Sequence, residues 1–221
     1  MKEKGAKIAA HLLEASEEDL EFAAGNWTVK GTDKSISFGE VALAAYVPHN
    51  FPEDLEPGLD FTSFYDPANF TFPFGAHIAV VEVDAETGAV EIVRYLAVDD
   101  VGNMVNPMVV AGQVHGGVTQ GIAQALYEEA VYEDGNLVNG SMTNYLVPSA
   151  AEVPSYEVDH VAAPSPTNPL GVKGVGETGA IASSPAVINA VIDALSHLGV
   201  TDIDMPASPE RVWRAIEEAK S

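Results

Sequence analysis

The sequence contains no cysteine and few basic residues, and each shortage excludes a class of site. Without cysteine among its 221 residues, the chain forms no disulfide, ligates no iron–sulfur cluster and has no thiol nucleophile. Its six histidines are dispersed and include no pair at metal-ligand spacing, so a metal site made of protein ligands is not expected. No continuous apolar run approaches the ~20 residues of a membrane-spanning helix, which argues against a membrane span.

The charge balance of the chain is strongly acidic. Lys and Arg number 10 against 33 Asp and Glu, which gives a formal net charge of −23. This excess repels phosphate and anionic lipid, so neither nucleic acid nor a membrane surface is an expected partner. The acidic residues are dispersed along the chain, a pattern typical of proteins that stay soluble where salt screens charge. We interpret the setting as a high-salt cytoplasm, with an ordinary acidic bacterial protein as the alternative.

The hydrophobic pattern predicts a mixture of helices and hairpins. The predicted helices cover residues 5–16, 38–46 and roughly 110–131, and two more begin at Ser184-Pro185 and Ser208-Pro209. A hairpin is predicted for 77–84 and 89–98, a second one at Asp134-Gly135-Asn136, and a further strand at 155–161. Because strands and helices do not alternate regularly, the predicted fold class is α+β.

One loop places a single carboxylate at the end of a run of glycines. It reads Gly171-Val172-Lys173-Gly174-Val175-Gly176-Glu177-Thr178-Gly179. Glycines let a backbone pass close to a ligand, and a carboxylate held away from water has a raised pKa and can act as a base. The alternative is a tight turn before a helix, with Glu177 in solvent. The glycine order matches neither the dinucleotide fingerprint nor the P-loop, and the chain contains no G-x-S-x-G motif.

A second glycine-rich segment lies in the predicted helix at 110–131. Gly117, Gly121 and Ala125 share one helix face, which allows the close approach of either a packed element or a ligand. The amide of Gln113, in the same segment, can both donate and accept hydrogen bonds and so suits the edge of a heterocycle. The acidic pairs Asp99-Asp100 and Glu128-Glu129 are interpreted as solvated or turn residues.

Together these segments resemble the molybdenum hydroxylases, which form the xanthine oxidase family. The motifs that carry the resemblance lie at 100–107, 112–121 and 168–177. Further likeness lies at 64–67, 74–77, 124–129 and 205–213, so the resemblance extends through essentially the whole chain. The closest likeness is to large subunits of the aerobic carbon monoxide dehydrogenase type.

The resemblance implies an oxidoreductase that oxidises CO, an aldehyde or an N-heterocycle. In that family the glutamate matching Glu177 is the general base: it deprotonates a molybdenum-bound hydroxyl, which attacks an electron-poor carbon. The glutamine matching Gln113 contacts the cofactor. The resemblance therefore implies that Glu177 is catalytic and that the cofactor-binding residues are Gln113, Gly112, Gly116, Lys173, Gly174 and Gly176.

The resemblance also implies the cofactors and partners. The cofactor is molybdopterin carrying Mo, in its cytosine dinucleotide form, while iron–sulfur clusters and FAD belong to partner subunits. Because the family's large subunit is longer, residues 1–221 are expected to be the C-terminal portion of a molybdopterin-binding domain. The expected partners are then an N-terminal large-subunit half and the iron–sulfur and flavin subunits, in a dimer of heterotrimers.

Two alternatives remain open at this point. The chain is a non-catalytic fragment or assembly module without bound cofactor, or it is a binding protein whose glycine-rich loop holds an anion at Lys173 and a helix N-terminus.

Overall fold

The computed structural model describes residues 1–220 and contains two compact units. The first unit spans Met1–Asp66. Its elements, in chain order, are helix α1 (Lys2–Leu13), strands β1 (Leu20–Ala23), β2 (Asn26–Val29) and β3 (Ser35–Ser37), and helix α2 (Phe38–Tyr46). The three strands form an antiparallel sheet in the order β1-β2-β3.

The core of the first unit is built around Trp27 on β2. The indole is 2% exposed and packs with buried side chains of α1 and α2, among them Ile8 and Val41. Gly5 on α1 makes room for it, because a Cβ there would lie 2.7 Å from the indole ring. On α1, Ile8 and Ala9 are buried in this core and Leu12 packs against it partly buried.

The second unit begins at Pro67 and contains the remaining elements. These are β4 (Phe74–Val83), β5 (Val90–Asp100), α3 (Pro107–Leu126), β6 (Tyr132–Glu133), β7 (Asn136–Leu137), β8 (Tyr156–Val161), α4 (Thr178–Ile181), α5 (Ser183–Leu195) and α6 (Pro209–Ala219). Strands β4 and β5 are antiparallel, β8 joins β5 in parallel, and β6 and β7 form a small hairpin.

The β4–β5 hairpin is closed by a turn that Asp84 stabilises. Its carboxylate accepts hydrogen bonds from the backbone N–H groups of Glu86 (2.8 Å) and Thr87 (3.2 Å). Gly88 ends the turn at φ 73°, in the left-handed region that favours glycine. A Cβ at Gly88 would lie 2.0 Å from the carbonyl oxygen of Pro209, so this glycine also allows α6 to pack against the turn.

Helices α3, α5 and α6 share one apolar core with the sheet. Tyr95 and Ala97 on β5 are fully buried in it. The helices contribute buried residues at helical spacing: Val114, Val118 and Ile122 from α3, Val187, Val191 and Leu195 from α5, and Val212 and Ile216 from α6. Burying such side chains contributes roughly 1.5–3 kcal/mol each. The structure confirms the predicted α+β class.

The predicted start of the helix after the glycine-rich loop is wrong. Helix α4 begins at Thr178, and α5 follows from Ser183 after a break at Ala182. Ser184 does not cap this helix, because its hydroxyl donates to the carbonyl oxygen of Gly121 at 2.9 Å. At α6 the predicted start is right: the hydroxyl of Ser208 accepts from the N–H of Arg211.

The stretch Thr178–Leu198 is long and apolar enough, by length and composition alone, to cross a membrane. It is the one such stretch among the described residues, with a mean hydropathy of 1.3. It consists of two helices and a final 3-10 turn, and Val187, Val191 and Leu195 lie in the core. The core helix of a soluble protein passes the same test, so this stretch is weak evidence for a membrane span.

Candidate functional site

The structure brings the two glycine-rich segments together at the end of β5. Gly102 pairs with Val172 in an isolated β-bridge, and the backbone N–H of Lys173 donates to the carbonyl of Val101 at 3.0 Å. Gly102 and Gly171 both have a positive φ, and a Cβ at Gly102 would lie 2.2 Å from the carbonyl oxygen of Gly171. Glycine is therefore required where the segments cross.

A buried ion pair joins the same two segments. The ammonium of Lys173 contacts a carboxylate oxygen of Asp100, whose side chain is fully buried, while the Lys173 side chain is 11% exposed. The other Asp100 oxygen accepts from the N–H groups of Gly102 (2.8 Å) and Ala163 (2.9 Å). Interpreting Asp99 and Asp100 as solvated or turn residues is therefore wrong, since they are 3% and 0% exposed.

The environment of Asp100 sets the direction of its pKa. Burial alone would disfavour the charged form. The hydrogen bond from Lys173, the two backbone N–H groups and the Lys173 charge together outweigh burial and hold the pKa of Asp100 below its usual value. Asp100 is therefore ionised at neutral pH and stabilises the folded state in that form.

We expect the Asp100→Asn variant to be less stable than the parent chain by an amount that depends on pH. The pKa of Asp100 is lower in the folded state than in the unfolded state. The ionised Asp100 carboxylate therefore gives its full stabilisation of the fold above the unfolded pKa of about 3.9, and this stabilisation is lost as the pH falls through the folded pKa. Urea unfolding of both proteins between pH 7 and pH 3 checks this. A stability difference that stays constant down to pH 3 would contradict it.

Helix α3 packs against α4 through glycines. A Cβ at Gly179 would lie 2.4 Å from the carbonyl oxygen of Val114, and one at Gly117 would lie 2.9 Å from the backbone of Gly179 and Ala180. A Cβ at Gly121 would lie 1.5 Å from the Ser183 hydroxyl. Of the two explanations left open for the small residues on this face, a packed element is therefore the correct one.

The candidate cofactor-binding glycines lie in a different environment. A Cβ added at Gly112, Gly116, Gly174 or Gly176 would meet no atom within 4 Å, and all four residues are exposed. Packing within the described residues therefore does not explain why these positions are glycine. They flank the two functional side chains predicted from the sequence, Gln113 on α3 and Glu177 before α4.

Gln113 and Glu177 leave neighbouring backbone segments and are both exposed. Gln113 directly precedes Val114, whose carbonyl lies against Gly179, two residues after Glu177. Glu177 occupies the position before α4 and makes no capping hydrogen bond with its side chain. Lys173 differs from the other candidates, because its ammonium already contacts Asp100. The contact between α3 and α4 thus brings both predicted side chains to one region of the surface.

Sequence reasoning missed a buried polar cluster beneath this region. Nδ1 of His77 lies 2.8 Å from the Tyr95 hydroxyl, and its Nε2 lies 3.3 Å from Oδ1 of Asp99. Burial raises the pKa of Tyr95, a hydrogen bond with Ser183 opposes that shift, and the Asp99 charge adds to it. The cluster therefore ties β4 and β5 to the start of α5. His77 pairs with Ala97, so Tyr95 and Asp99, two positions to either side of Ala97, lie on the same face of the sheet as His77. The alternation of residues along the two strands was the available signal.

A cavity of about 330 Å³ lies at the other side of the Asp99 region. Its polar lining residues are Asp99, His115, Tyr156, Asp159 and His160, and its apolar lining comes from the β5–α3 connection, the first half of α3 and β8. None of the seven candidate residues lines it. Within residues 1–220, no group of three or more His, Cys, Asp or Glu side chains is arranged to hold a metal ion.

Comparison with known proteins gives the family. A model of the molybdopterin cofactor-binding domain matches residues 1–154, which is more than half of the chain. The chain belongs to the molybdopterin cofactor-binding domain family. The resemblance to molybdenum hydroxylases of the xanthine oxidase family, stated above from the motifs, is thereby confirmed.

Individual relatives extend the match across nearly all of this chain. It is 43% identical to the carbon monoxide dehydrogenase large chain of Hydrogenophaga pseudoflava and 40% identical to the nicotine 6-hydroxylase large subunit of Paenarthrobacter nicotinovorans, each over 97% of this chain. The solved structure of reconstituted CO dehydrogenase from Oligotropha carboxidovorans matches 99% of it with a TM-score of 0.82 and 40% identity. The chain spans 27% of the length of each of these three proteins.

The family model covers the α3 part of the candidate site but not the loop with Glu177, whereas the relatives cover both. The family model includes Gly112, Gln113 and Gly116 but ends before the loop that carries Glu177. The relatives, which cover 97% of the molybdopterin-binding chain, extend across that loop.

Proposed function

We propose that this chain is part of a molybdopterin-dependent oxidoreductase and that Glu177 is its general base. The observation that carries the proposal is the juxtaposition, across the α3–α4 contact, of an exposed carboxylate and an exposed amide flanked by glycines with open space around them. Glu177 is exposed in a turn before α4, so the described residues do not hold it away from water as the sequence led us to expect; on this proposal the bound cofactor covers it, and the carboxylate accepts a proton from a hydroxyl nucleophile held in front of it.

The glycines provide a test of whether the residues fit the cofactor. Gly117, Gly121 and Gly179 are explained by packing, whereas Gly112 and Gly116 on α3 are not. In a helix interior, glycine costs about 1 kcal/mol relative to alanine, so an unpacked glycine there needs another reason. Close approach of a group outside the described residues supplies one, and the residues therefore fit a bound pterin.

We assign roles to the residues on this basis. Gly112, Gly116, Gly174 and Gly176 would permit close approach of the cofactor, and the Gln113 amide would hydrogen-bond to it. When bound, the cofactor supplies the two-electron redox chemistry, while the protein orients it and provides a base. Because the Lys173 ammonium contacts Asp100, we propose that Lys173 contributes through its backbone and its hold on the loop.

The assembly and the substrate class are proposed from the relatives. We propose that residues 1–221 act as the C-terminal portion of a molybdopterin-binding domain, together with the rest of a large-subunit polypeptide and with iron–sulfur and FAD-containing subunits. Relatives are named for carbon monoxide, nicotine and aldehyde, so CO, an aldehyde or an N-heterocycle is the proposed substrate class. We further propose that the cofactor is the cytosine dinucleotide form and that the assembly is a dimer of heterotrimers. The proposed setting is a high-salt cytoplasm.

Cofactor content tests this function. The chain is co-expressed with the N-terminal portion of a related large subunit and with its partner subunits. We expect molybdenum and pterin to co-purify with the complex, and the complex to oxidise substrate with a dye as electron acceptor. A folded, stable complex that contains neither molybdenum nor pterin would instead favour a non-catalytic assembly module.

A further inference from the structure

The Asp100 carboxylate holds three chain segments at one point. One oxygen accepts from Gly102, just after β5, and from Ala163, just after β8. The other oxygen contacts the ammonium of Lys173 in the glycine-rich loop. This ammonium also lies 4.7 Å from the centre of the Phe74 ring, at the start of β4. Since the Asp100 side chain is fully buried, water does not compete for these contacts.

Glu177 lies between this point and a second fixed point. Lys173 is four residues before it, and Thr178, the residue after it, is 4% exposed. Gly179 is held against the Val114 carbonyl. Between the two points, Gly174 and Gly176 leave room for a Cβ, whereas Val175 packs partly buried against the core and the Gly174 carbonyl accepts from the Thr178 hydroxyl at 3.4 Å. The position of Glu177 therefore depends on the two ends of the loop and on the packing of Val175 between them.

The upstream end consists of a backbone part and a side-chain part. The backbone part is the hydrogen bond from the Lys173 N–H to the Val101 carbonyl, together with the Gly102–Val172 bridge. The side-chain part comprises the ion pair with Asp100 and the amide hydrogen bonds that join Asn103 to Leu170 and Asn168 to Val172. The ion pair joins Lys173, the residue of this group nearest in sequence to Glu177, to the buried end of β5.

We propose that Asp100 and Lys173 are positioning residues, which act through the loop to hold Glu177 in its working place. This inference rests on the proposed role of Glu177 as the base. Neither residue of the pair takes part in proton transfer. Breaking the pair loosens the loop at Lys173, and a displacement of about 1 Å at a reacting group can lower a rate by roughly 10²-fold.

The test compares Lys173→Met with a matched control pair on the same strand. Arg94 on β5 bonds Glu157 on β8 in an exposed ion pair, with one contact at 2.7 Å. The control variant is Arg94→Gln with Glu157→Gln. A third variant, Lys173→Arg, keeps the charge and can restore contact with Asp100. A fourth, Asp100→Asn with Lys173→Met, removes both charges and keeps an oxygen acceptor for the two N–H groups.

Amide hydrogen exchange is measured first, on the chain without cofactor. In Lys173→Met, exchange at the N–H groups of Asn103 and Lys173 should rise at least about tenfold, with the β4–β5 hairpin unchanged, because local opening precedes global unfolding. The control pair and Lys173→Arg should leave these amides protected. If Lys173→Met fails to fold, the double neutral variant takes its place. Unchanged loop exchange in a folded variant would overturn the proposal.

Turnover is then measured in the cofactor-loaded complex. Lys173→Met should lower kcat by about 10²-fold with KM and molybdenum content nearly unchanged, and Lys173→Arg should recover much of the loss. If Lys173→Met loosens the loop but keeps a normal kcat, while Glu177→Gln is inactive, the positioning role is overturned and the role of Glu177 stands. If Glu177→Gln is fully active, the proposed function fails and the positioning role fails with it. The two failures are thus distinguishable.

Discussion

Glu177→Gln is expected to lower the turnover of the cofactor-loaded complex by about 10²–10⁴-fold. Glutamine keeps the size and polarity of the side chain but cannot accept the proton. Because Glu177 is exposed and makes no capping hydrogen bond, the substitution should leave the folding of the chain unchanged. Steady-state kinetics with a dye acceptor, normalised to molybdenum content, measure the effect.

Glu86→Gln is a suitable control for this substitution. Glu86 is an exposed glutamate in the β4–β5 turn, so its variant removes the same charge without approaching the candidate site. It should retain full turnover. Full activity of Glu177→Gln at normal molybdenum content would show that another group is the base.

Gly116→Ala is expected to have opposite effects on folding and on cofactor binding. A Cβ at Gly116 meets no atom within 4 Å, and alanine is favoured over glycine in a helix interior, so the chain should be stabilised by up to about 1 kcal/mol. If a pterin lies against this glycine, the methyl group overpacks the site by about 1–3 kcal/mol, or roughly 5- to 150-fold in affinity. Urea unfolding and bound pterin measure the two effects.

Gly179→Ala is the matched contrast, because its Cβ would lie 2.4 Å from the Val114 carbonyl. It should destabilise the cofactor-free chain by about 1–3 kcal/mol, since backbone atoms have to move. If Gly116→Ala also destabilised the chain, or if the variant bound pterin normally, Gly116 would not be needed for close approach of the pterin.

Local patterns were sufficient for the elements whose residues interact with near neighbours. The β4–β5 hairpin and the Ser208 cap of α6 depend on residues within a few positions of one another, and the structure contains both. The helix start at Ser184 was wrong because its hydroxyl bonds to Gly121, 63 residues away. In a sequence, a serine that caps a helix cannot be told from a serine whose hydroxyl bonds to a distant residue.

The candidate site could be predicted only in part for the same reason. The motifs indicated Gln113 and Glu177, but not that packing at Gly179 brings their segments together. Asp100 was interpreted as solvated because a carboxylate is usually exposed, and its partner Lys173 is 73 residues away. A lysine inside a glycine-rich loop, in a chain with few basic residues, was the available signal for a buried partner.

The division of the chain into two units has a practical consequence for experiments on this protein. Residues 47–73 contain no helix or strand, and this stretch includes the boundary between the units at Asp66 and Pro67. All seven candidate residues, together with Asp100, lie on the Pro67 side. Leu59 in this stretch belongs to the core of the first unit, whereas residues 60–70 are exposed. A protease site inserted within 60–70 would thus allow the two units to be separated by cleavage without interrupting a strand or altering any residue proposed for the site.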